Sequence, residues 1–394
     1  MELTNKQEEG LKTALERYKN GEKYTTISGY AGTGKSTLVK FIISALDVEE
    51  SKVAYAAYTG KAAEVLRKKG NPNAMTLHRL LYDSIPRPAG GFYRKPKTKL
   101  DYTIVVVDEV SMVPKSMIDL LLAHKVYVIF LGDPFQLPQI DKKEAHTLLD
   151  KPHIFLDEVM RQAAESEIIQ TTMKIRNYEN IDFNKGNEVI VIPKKELVTG
   201  HLTWADQVIC GTNATRQALN NQIRGLYGFE GLPQDGEKIV IKRNYWDICN
   251  NCGDALVNGC IGTFKNPFES FRRLPSYIKN NRRDLPVIIS EFVSEDGSSF
   301  GNIEFDKDFL LIEEPCIDWK VSYQLSKLKN KLGDIIPKQA TYGYALTGHA
   351  AQGSQWDKVL VIEENFPFSK EEHARWLYTC CTRPSEKLVL VRPD

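Results

Sequence analysis

The segment Gly29-Tyr30-Ala31-Gly32-Thr33-Gly34-Lys35-Ser36 constrains this chain more than any other. Its spacing, Gly29-x4-Gly34 followed by Lys35-Ser36, lets backbone amides face a phosphate, and such a loop is fed by a strand and opens a helix. Both flanks agree. Tyr24 to Ser28 reads as a short strand, and Lys35 to Leu46 reads as a helix with Leu38, Phe41, Ile42 and Leu46 on one side. Val53 to Ala57, Thr103 to Val107 and Val126 to Leu131 are further apolar strands, with an Ala- and Lys-rich helix over Gly60 to Lys69. Near-continuous apolar strands between amphipathic helices imply a parallel α/β sheet covered on both faces.

The pattern breaks between Leu81 and Asp101. Pro86, Pro88, Gly90, Gly91 and Pro96 interrupt it, Arg87, Arg94, Lys95, Lys97 and Lys99 make it basic, and Phe92-Tyr93 sits at its centre. A small projecting hairpin is expected there. In the second half, Gln207 to Gly211, Tyr342 to Leu346, Val359 to Glu363 and Leu388 to Val391 read as strands and Thr215 to Leu226 as a helix, which suits a second α/β layer. Gly262 to Pro337 differs in texture, with short apolar runs, turns such as Glu295-Asp296-Gly297, and a β-rich character.

Composition removes several alternatives. The 394 residues hold 52 Lys plus Arg against 51 Asp plus Glu, a net charge of +1, so any attraction for phosphates comes from local basic faces. No apolar run reaches the length of about 18 residues that a membrane helix needs, and the start of the chain lacks a signal-peptide core. The seven cysteines show no framework spacing, which fits a reducing, cytoplasmic setting. Cys249, Cys252 and Cys260 lack a nearby fourth ligand for a structural zinc, and small buried or turn thiols are the plainer reading.

The chemistry gathers around the loop. Lys35 is placed to reach the β- and γ-phosphates of a nucleoside triphosphate, and the Ser36 hydroxyl to hold Mg²⁺. Ile104-Val105-Val106-Val107-Asp108-Glu109 supplies the complement: Asp108 for the Mg²⁺ shell and Glu109 to polarise an attacking water. Gly132-Asp133-Pro134-Phe135-Gln136-Leu137-Pro138 follows the next strand, where a turn points into the ligand crevice. Gln136 there either senses the γ-phosphate or belongs to a Pro-stiffened turn. ATP hydrolysis with Mg²⁺ is the expected chemistry.

Taken in order, these segments resemble the superfamily 1 helicases of the B group, in the Dda and RecD-like branch. Leu3-Thr4-Asn5-Lys6-Gln7 resembles the glutamine motif, Gly29 to Ser36 motif I, Ala57-Tyr58-Thr59-Gly60-Lys61-Ala62-Ala63 motif Ia, and Thr76-Leu77-His78-Arg79-Leu80-Leu81 the segment after it. Asp108-Glu109 is similar to motif II, Gly132 to Pro138 to motif III and Val159-Met160-Arg161-Gln162 to motif IV. Ala345 to Ser354 resembles motif V, and Leu377-Tyr378-Thr379-Cys380-Cys381-Thr382-Arg383 motif VI. The chain departs from the family at Tyr58, Ala350 and Gln355.

The resemblance implies a fold and a set of roles. It implies two RecA-like P-loop domains in tandem, residues 1–160 with a hairpin at about 82–100, and residues 161–261 with 338–394. Residues 262–337 would form a small barrel of the Src-homology-3 kind. Gln7 would contact adenine, and Gly29, Gly32, Thr33, Gly34, Lys35, Ser36, Thr37 and Gly353 would line the nucleotide site. Arg161 and Arg383 would meet the γ-phosphate, stabilising charge in the transition state. Thr59, His78, Thr347 and His349 would face DNA, and Phe92 or Tyr93 would stack on a base or wedge a fork. The hairpin aromatics packing on the domain, and both histidines serving structure alone, stand as alternatives.

The activity implied is ATP-driven 5′ to 3′ translocation on single-stranded DNA with duplex unwinding. The alternative is a DNA-stimulated translocase that remodels protein–DNA complexes, and a P-loop kinase or switch is a third. Expected partners are single-stranded and 5′-tailed duplex DNA, with single-strand-binding or replisome proteins as candidates and a monomer as the acting form. Replication, recombination and repair all remain open as its setting.

Overall fold

The computed structural model describes residues 3–86, 92–138, 143–251, 253–278, 282–332, 335–365 and 369–393, without the side chains of residues 86, 92, 161, 162 and 327–332. The chain divides into two compact units, the first made of Met1–Leu81, Lys97–Arg216 and Leu346–Asp394, the second of Tyr82–Pro96 and Gln217–Ala345.

The first unit holds two sheets. One has the spatial order Met75–Thr76, Val53–Ala57, Ile104–Asp108, Tyr127–Gly132, Tyr24–Gly29, Ile154–Leu156, and all its neighbours run parallel. Register brings the carboxyl ends level: Ser28 pairs with Gly132, Gly29 with Leu156, and Ala57 with Asp108. The strand Tyr24–Gly29 is therefore flanked on both sides, and the crevice outside these ends is where ligands of open α/β sheets bind. Ile27, Leu38, Ile42, Val106, Ile129 and Leu131 form the core between sheet and helices. The second sheet has the order Ala345–Thr347, Gln207–Cys210, Trp356–Ile362, Pro384–Arg392, Val189–Pro193, Asn184–Lys185. Gln207–Cys210, Trp356–Ile362, Pro384–Arg392 and Val189–Pro193 run parallel, and the short last strand is antiparallel to its neighbour. This is the tandem RecA-like arrangement.

The second unit contains a hairpin, Tyr82–Pro86 against Phe92–Pro96. It also contains a five-stranded antiparallel sheet of order Ser299–Asp306, Asp284–Ser294, Ile261–Arg273, Lys238–Ile241, Ala340–Tyr342. Ile239, Phe264, Ile288, Phe292, Phe305 and Tyr342 make its core. A satellite cluster of Leu274, Ile278, Leu285 and Ile317 is covered by Val321 and Leu325 of the helix Trp319–Leu332. The hairpin is tied down within this unit, where the Arg94 guanidinium lies 4.1 Å from the Trp246 ring and 5.7 Å from that of Tyr82.

Two expectations are revised. The run Tyr342 to Leu346, read as one strand, is two: Ala340–Tyr342 closes the five-stranded sheet and Ala345–Thr347 edges a sheet of the first unit. Gly343 marks the break, where a Cβ would lie 3.0 Å from the Ile239 carbonyl carbon. The antiparallel sheet also takes in Lys238–Ile241 and Ala340–Tyr342, which lie outside the span 262–337. Among the described residues, no helix is long and apolar enough to cross a membrane.

Candidate nucleotide site

The site lies within the first unit. The phosphate-binding loop leaves the strand Tyr24–Gly29 and enters the helix Lys35–Ala45 through Gly34, whose φ of +78° is left-handed. A Cβ at Gly34 would collide with the Gln7 amide and lie 3.3 Å from Met160, so glycine is required for both conformation and space. Lys35 Nζ donates to the carbonyls of Gly29 (2.7 Å) and Tyr30 (2.9 Å), so its ammonium is held by the loop it would share with phosphates. Thr33 Oγ1 donates to Tyr30 O at 2.9 Å. A cavity of about 570 Å³ opens here, within the usual range for small-molecule sites. It is lined by Gly32, Thr33, Gly34, Lys35, Ser36, Thr37, Asp108, Glu109, Gln136, Gly353 and Arg383, among others.

The two carboxylates at its floor differ in backbone state. Asp108 ends its strand and accepts the Glu109 N–H through Oδ1 at 2.9 Å. Burial, and then the charge of Glu109, push the Asp108 carboxyl above its ordinary range. Glu109 itself has φ +51° and ψ +48°, a left-handed conformation rare for a residue with a side chain. That turn aims its carboxylate into the cavity. With its amide oriented so that the nitrogen faces the carboxylate and the oxygen faces the arginine, as hydrogen bonding requires, Gln136 donates to Glu109 Oε2 and accepts from Arg383 Nη2, both at 3.2 Å. Arg383 Nη1 lies 4.0 Å from Glu109 Oε1. Arg383 is nearly buried and held by the Thr379 carbonyl (2.9 Å), the Ser354 carbonyl (3.3 Å) and Thr382 Oγ1 (2.9 Å). Three residues from segments far apart in sequence thus form one polar chain.

Mg²⁺ suits this donor set. It takes few protein ligands, prefers oxygen, and completes its shell with water and phosphates. Ser36 and Asp108 line the same cavity, and a carboxyl disfavoured as an anion by its surroundings gains most from a cation.

Other anticipated residues lie elsewhere. Gln7 is not among the lining residues; it is buried behind the loop, with Nε2 donating to Thr33 O (3.3 Å) and Oε1 accepting the Thr4 N–H (3.1 Å) in a capping box. Arg161 opens the short helix Arg161–Ala164, and its side chain lies outside the described residues. Thr59 caps the helix Gly60–Lys68 through Ala62 N (3.1 Å) and would lie 3.3 Å from a Cβ at Gly353. His78 is buried beside Tyr58, ring centroids 5.6 Å apart. Thr347 is half-buried, and so is His349, whose imidazole is held below its ordinary pKa by desolvation. In the second unit, Tyr93 is 42% exposed and the Phe92 side chain lies outside the described residues.

Sequence reasoning passed over three side chains. Arg176 stacks 3.8 Å from the ring of Tyr30 in the loop. Asp133 and Tyr378 meet at 2.6 Å, and Tyr378 also takes the Ala31 N–H of the loop at 2.9 Å. Asp133 and Tyr378 stood inside recognised motifs, but nothing in either motif alone pairs them.

Comparison with known proteins bears on the family of the chain. Residues 2–189 match the family described as an AAA domain, and residues 342–391 match the UvrD-like helicase C-terminal domain. An uncharacterised protein, R530, of Acanthamoeba polyphaga mimivirus is 24% identical over 94% of this chain and 95% of its own length. The ATP-dependent RecD2 DNA helicase of Deinococcus radiodurans is 36% identical over 93% of this chain and 46% of its own. The chain therefore spans about half the length of that relative. A solved structure of Pif1 helicases, described as the basis for unwinding at forked double-stranded DNA, shares the fold with a TM-score of 0.51 at 18% identity. It covers 100% of this chain and 95% of the other.

Proposed function

We propose that the chain is a superfamily 1B helicase of the Dda, RecD and Pif1 kind, an ATP-dependent DNA helicase moving 5′ to 3′ on single-stranded DNA. The observation that carries the reading is the contact of Glu109, Gln136 and Arg383 at the mouth of the phosphate-binding loop. A water-polarising carboxylate is useful only where water attacks, and an arginine placed across the cavity stabilises charge that develops on the γ-phosphoryl group.

In this reading Lys35 leaves the Gly29 and Tyr30 carbonyls for the β- and γ-phosphates. Ser36 and Asp108 hold Mg²⁺, which neutralises phosphate charge when bound. Glu109 orients the water and takes its proton, and Gln136 links the water-holding carboxylate to Arg383. Arg161 is the second arginine at the γ-phosphate, and Gln7 contacts adenine from behind the loop. Thr59, Thr347, His349 and His78 carry contacts to the strand, and Phe92 or Tyr93 on the hairpin stacks on a base at the fork. Because Arg383 follows a different sheet from the loop, loss of the γ-phosphate removes a tie between them.

The test is strand release from duplexes with a 5′ or a 3′ single-stranded tail, alongside ATP turnover with and without oligo(dT). Release from the 5′-tailed duplex alone, with turnover stimulated by the oligonucleotide, is expected. Stimulated turnover with no release from either duplex supports a translocase that remodels protein–DNA complexes. Turnover indifferent to DNA sinks both.

A further inference from the structure

Tyr378 is 1% exposed on the helix Lys370–Cys381, and its hydroxyl is used twice. It accepts the Ala31 N–H at 2.9 Å and donates to Asp133 Oδ2 at 2.6 Å. Asp133, also buried, accepts the Phe135 N–H through Oδ1 at 2.9 Å, and the Tyr378 ring packs edge-on to Phe135 with centroids 5.2 Å apart. One side chain thus joins the phosphate-binding loop to the turn that carries Gln136, three residues beyond Asp133. Leu137 N, the next amide in the turn, donates to Thr379 Oγ1 at 3.0 Å, so the neighbour of Tyr378 grips the same turn. Burial pushes both the Tyr378 hydroxyl and the Asp133 carboxyl up, and the hydroxyl keeps its proton to donate.

This geometry is more than packing requires. A phenylalanine would fill the same space against Phe135. The hydroxyl instead satisfies a loop amide and one oxygen of a buried carboxylate at once, and without it the Ala31 N–H and Asp133 Oδ2 would each lose that partner. The position of Gln136 relative to Glu109 and Arg383 then depends on where Ala31 sits, and Ala31 lines the nucleotide cavity.

We propose that Tyr378 is a positioning residue for ATP hydrolysis, a bridge from the Ala31 amide to Asp133 that sets Gln136 between Glu109 and Arg383 according to the state of the phosphate-binding loop. The inference rests on the ATPase reading above and not on the polarity or the unwinding. A residue that acts through another shows non-additive effects with it.

The experiment is a double-mutant cycle on ATP turnover, with binding of a fluorescent ADP analogue read on the same preparations. Tyr378→Phe is expected to lower kcat at least tenfold with the ADP affinity within about threefold of wild type, the signature of an interaction that matters in the transition state. In a Gln136→Ala background the same substitution is expected to cost less than about twofold. Full additivity of the two substitutions, or unchanged kcat in Tyr378→Phe, overturns the proposal. If Tyr378→Phe does not bind ADP, Asp133→Ala cuts the bridge from its other end, because it removes the carboxylate oxygen to which the Tyr378 hydroxyl donates. It is read in the same cycle with the same outcomes. Wild-type turnover that ignores oligo(dT) would defeat the helicase reading while leaving this cycle fully interpretable.

Discussion

Glu109 holds a left-handed backbone, with φ +51°, at the one place where its carboxylate meets Gln136 and Arg383. Holding a side chain in this region costs about 1 kcal/mol or more and persists where surroundings over-determine it. Glu109→Gly is therefore expected to abolish ATP turnover while leaving the fold as stable as wild type or up to about 1 kcal/mol more so, read by chemical denaturation. A loss above 1 kcal/mol would mean the conformation is not strained. The neighbouring Asp108 adds a pH signature. Burial and the Glu109 charge raise its folded-state pKa, so the folded chain binds that proton more tightly than the unfolded chain does. Stability from this group consequently falls as pH rises through the interval between the two values. Asp108→Asn, which has no charge to bury, should melt above wild type at neutral pH without nucleotide. The advantage should shrink as pH falls toward the ordinary carboxylate value of about 4. A constant difference across that range would assign the effect to something other than ionisation. These residues were legible because residue type and order announce them: Lys35, Asp108, Glu109, Gln136 and Arg383 each sit in a short segment with its own pattern. Tyr378 and Asp133 were not, because their meaning lies in a contact between positions 245 apart. Glu109's backbone state was not legible either, since nothing in Val-Asp-Glu-Val specifies a positive φ.

At the scale of elements, the parallel strands were readable from apolar runs with level ends, and the hairpin from the Pro and Gly that bound it. What escaped were elements too short or too mixed to show a period. Lys238–Ile241 is four residues, and the helix Trp319–Leu332 exposes Trp319 and Tyr323 while burying Val321 and Leu325, so its apolar residues do not mark one face. The hairpin's hold was also unreadable, because it rests on Arg94 stacking on Trp246 in a segment about 150 residues later. Two of the Arg94 nitrogens, Nε and Nη1, are buried without a hydrogen-bond partner among the described residues, so the ring face is what compensates the guanidinium. Trp246→Ala is expected to loosen the hairpin by about 1–2 kcal/mol, seen as roughly tenfold faster amide exchange across Tyr82–Pro86 and Phe92–Pro96. Oligo(dT)-stimulated turnover should hold, since no residue lining the nucleotide cavity belongs to residues 82–96 or 217–345. Unchanged exchange would show that the stack does not hold the hairpin.

For the whole molecule, the consequential fact is that the nucleotide cavity draws its lining from segments attached to both sheets of the first unit, residues 30–37 with Asp108, Glu109, Asp133 and Gln136 on one side and residues 353–355 and 382–385 on the other. A ligand there binds one side through many groups and the other through few. The first side offers the loop's backbone amides, Lys35, Ser36 and Asp108. The other side offers Arg383 as its charged contact. Binding strength should therefore reside in the loop, and communication in the arginine. A non-hydrolysable ATP analogue with Mg²⁺ at about 100 times its Kd should stabilise the wild type by about 2.7 kcal/mol, and slow amide exchange in both the loop segment and Gly353–Ser385. Arg383→Ala should keep the analogue's affinity within a few-fold and keep protection of the loop. It should lose protection of Gly353–Ser385, together with a fall in turnover of about 10³ by the arginine-finger magnitude. Protection of both segments in the variant would show that the two sides are coupled by contacts that need no charge at position 383, such as the Tyr378 bridge or the hydrogen bond of 2.6 Å from Gln352 to the Leu137 carbonyl. Loss of loop protection as well would place binding strength on the arginine, and the division of labour between the two sides would be wrong.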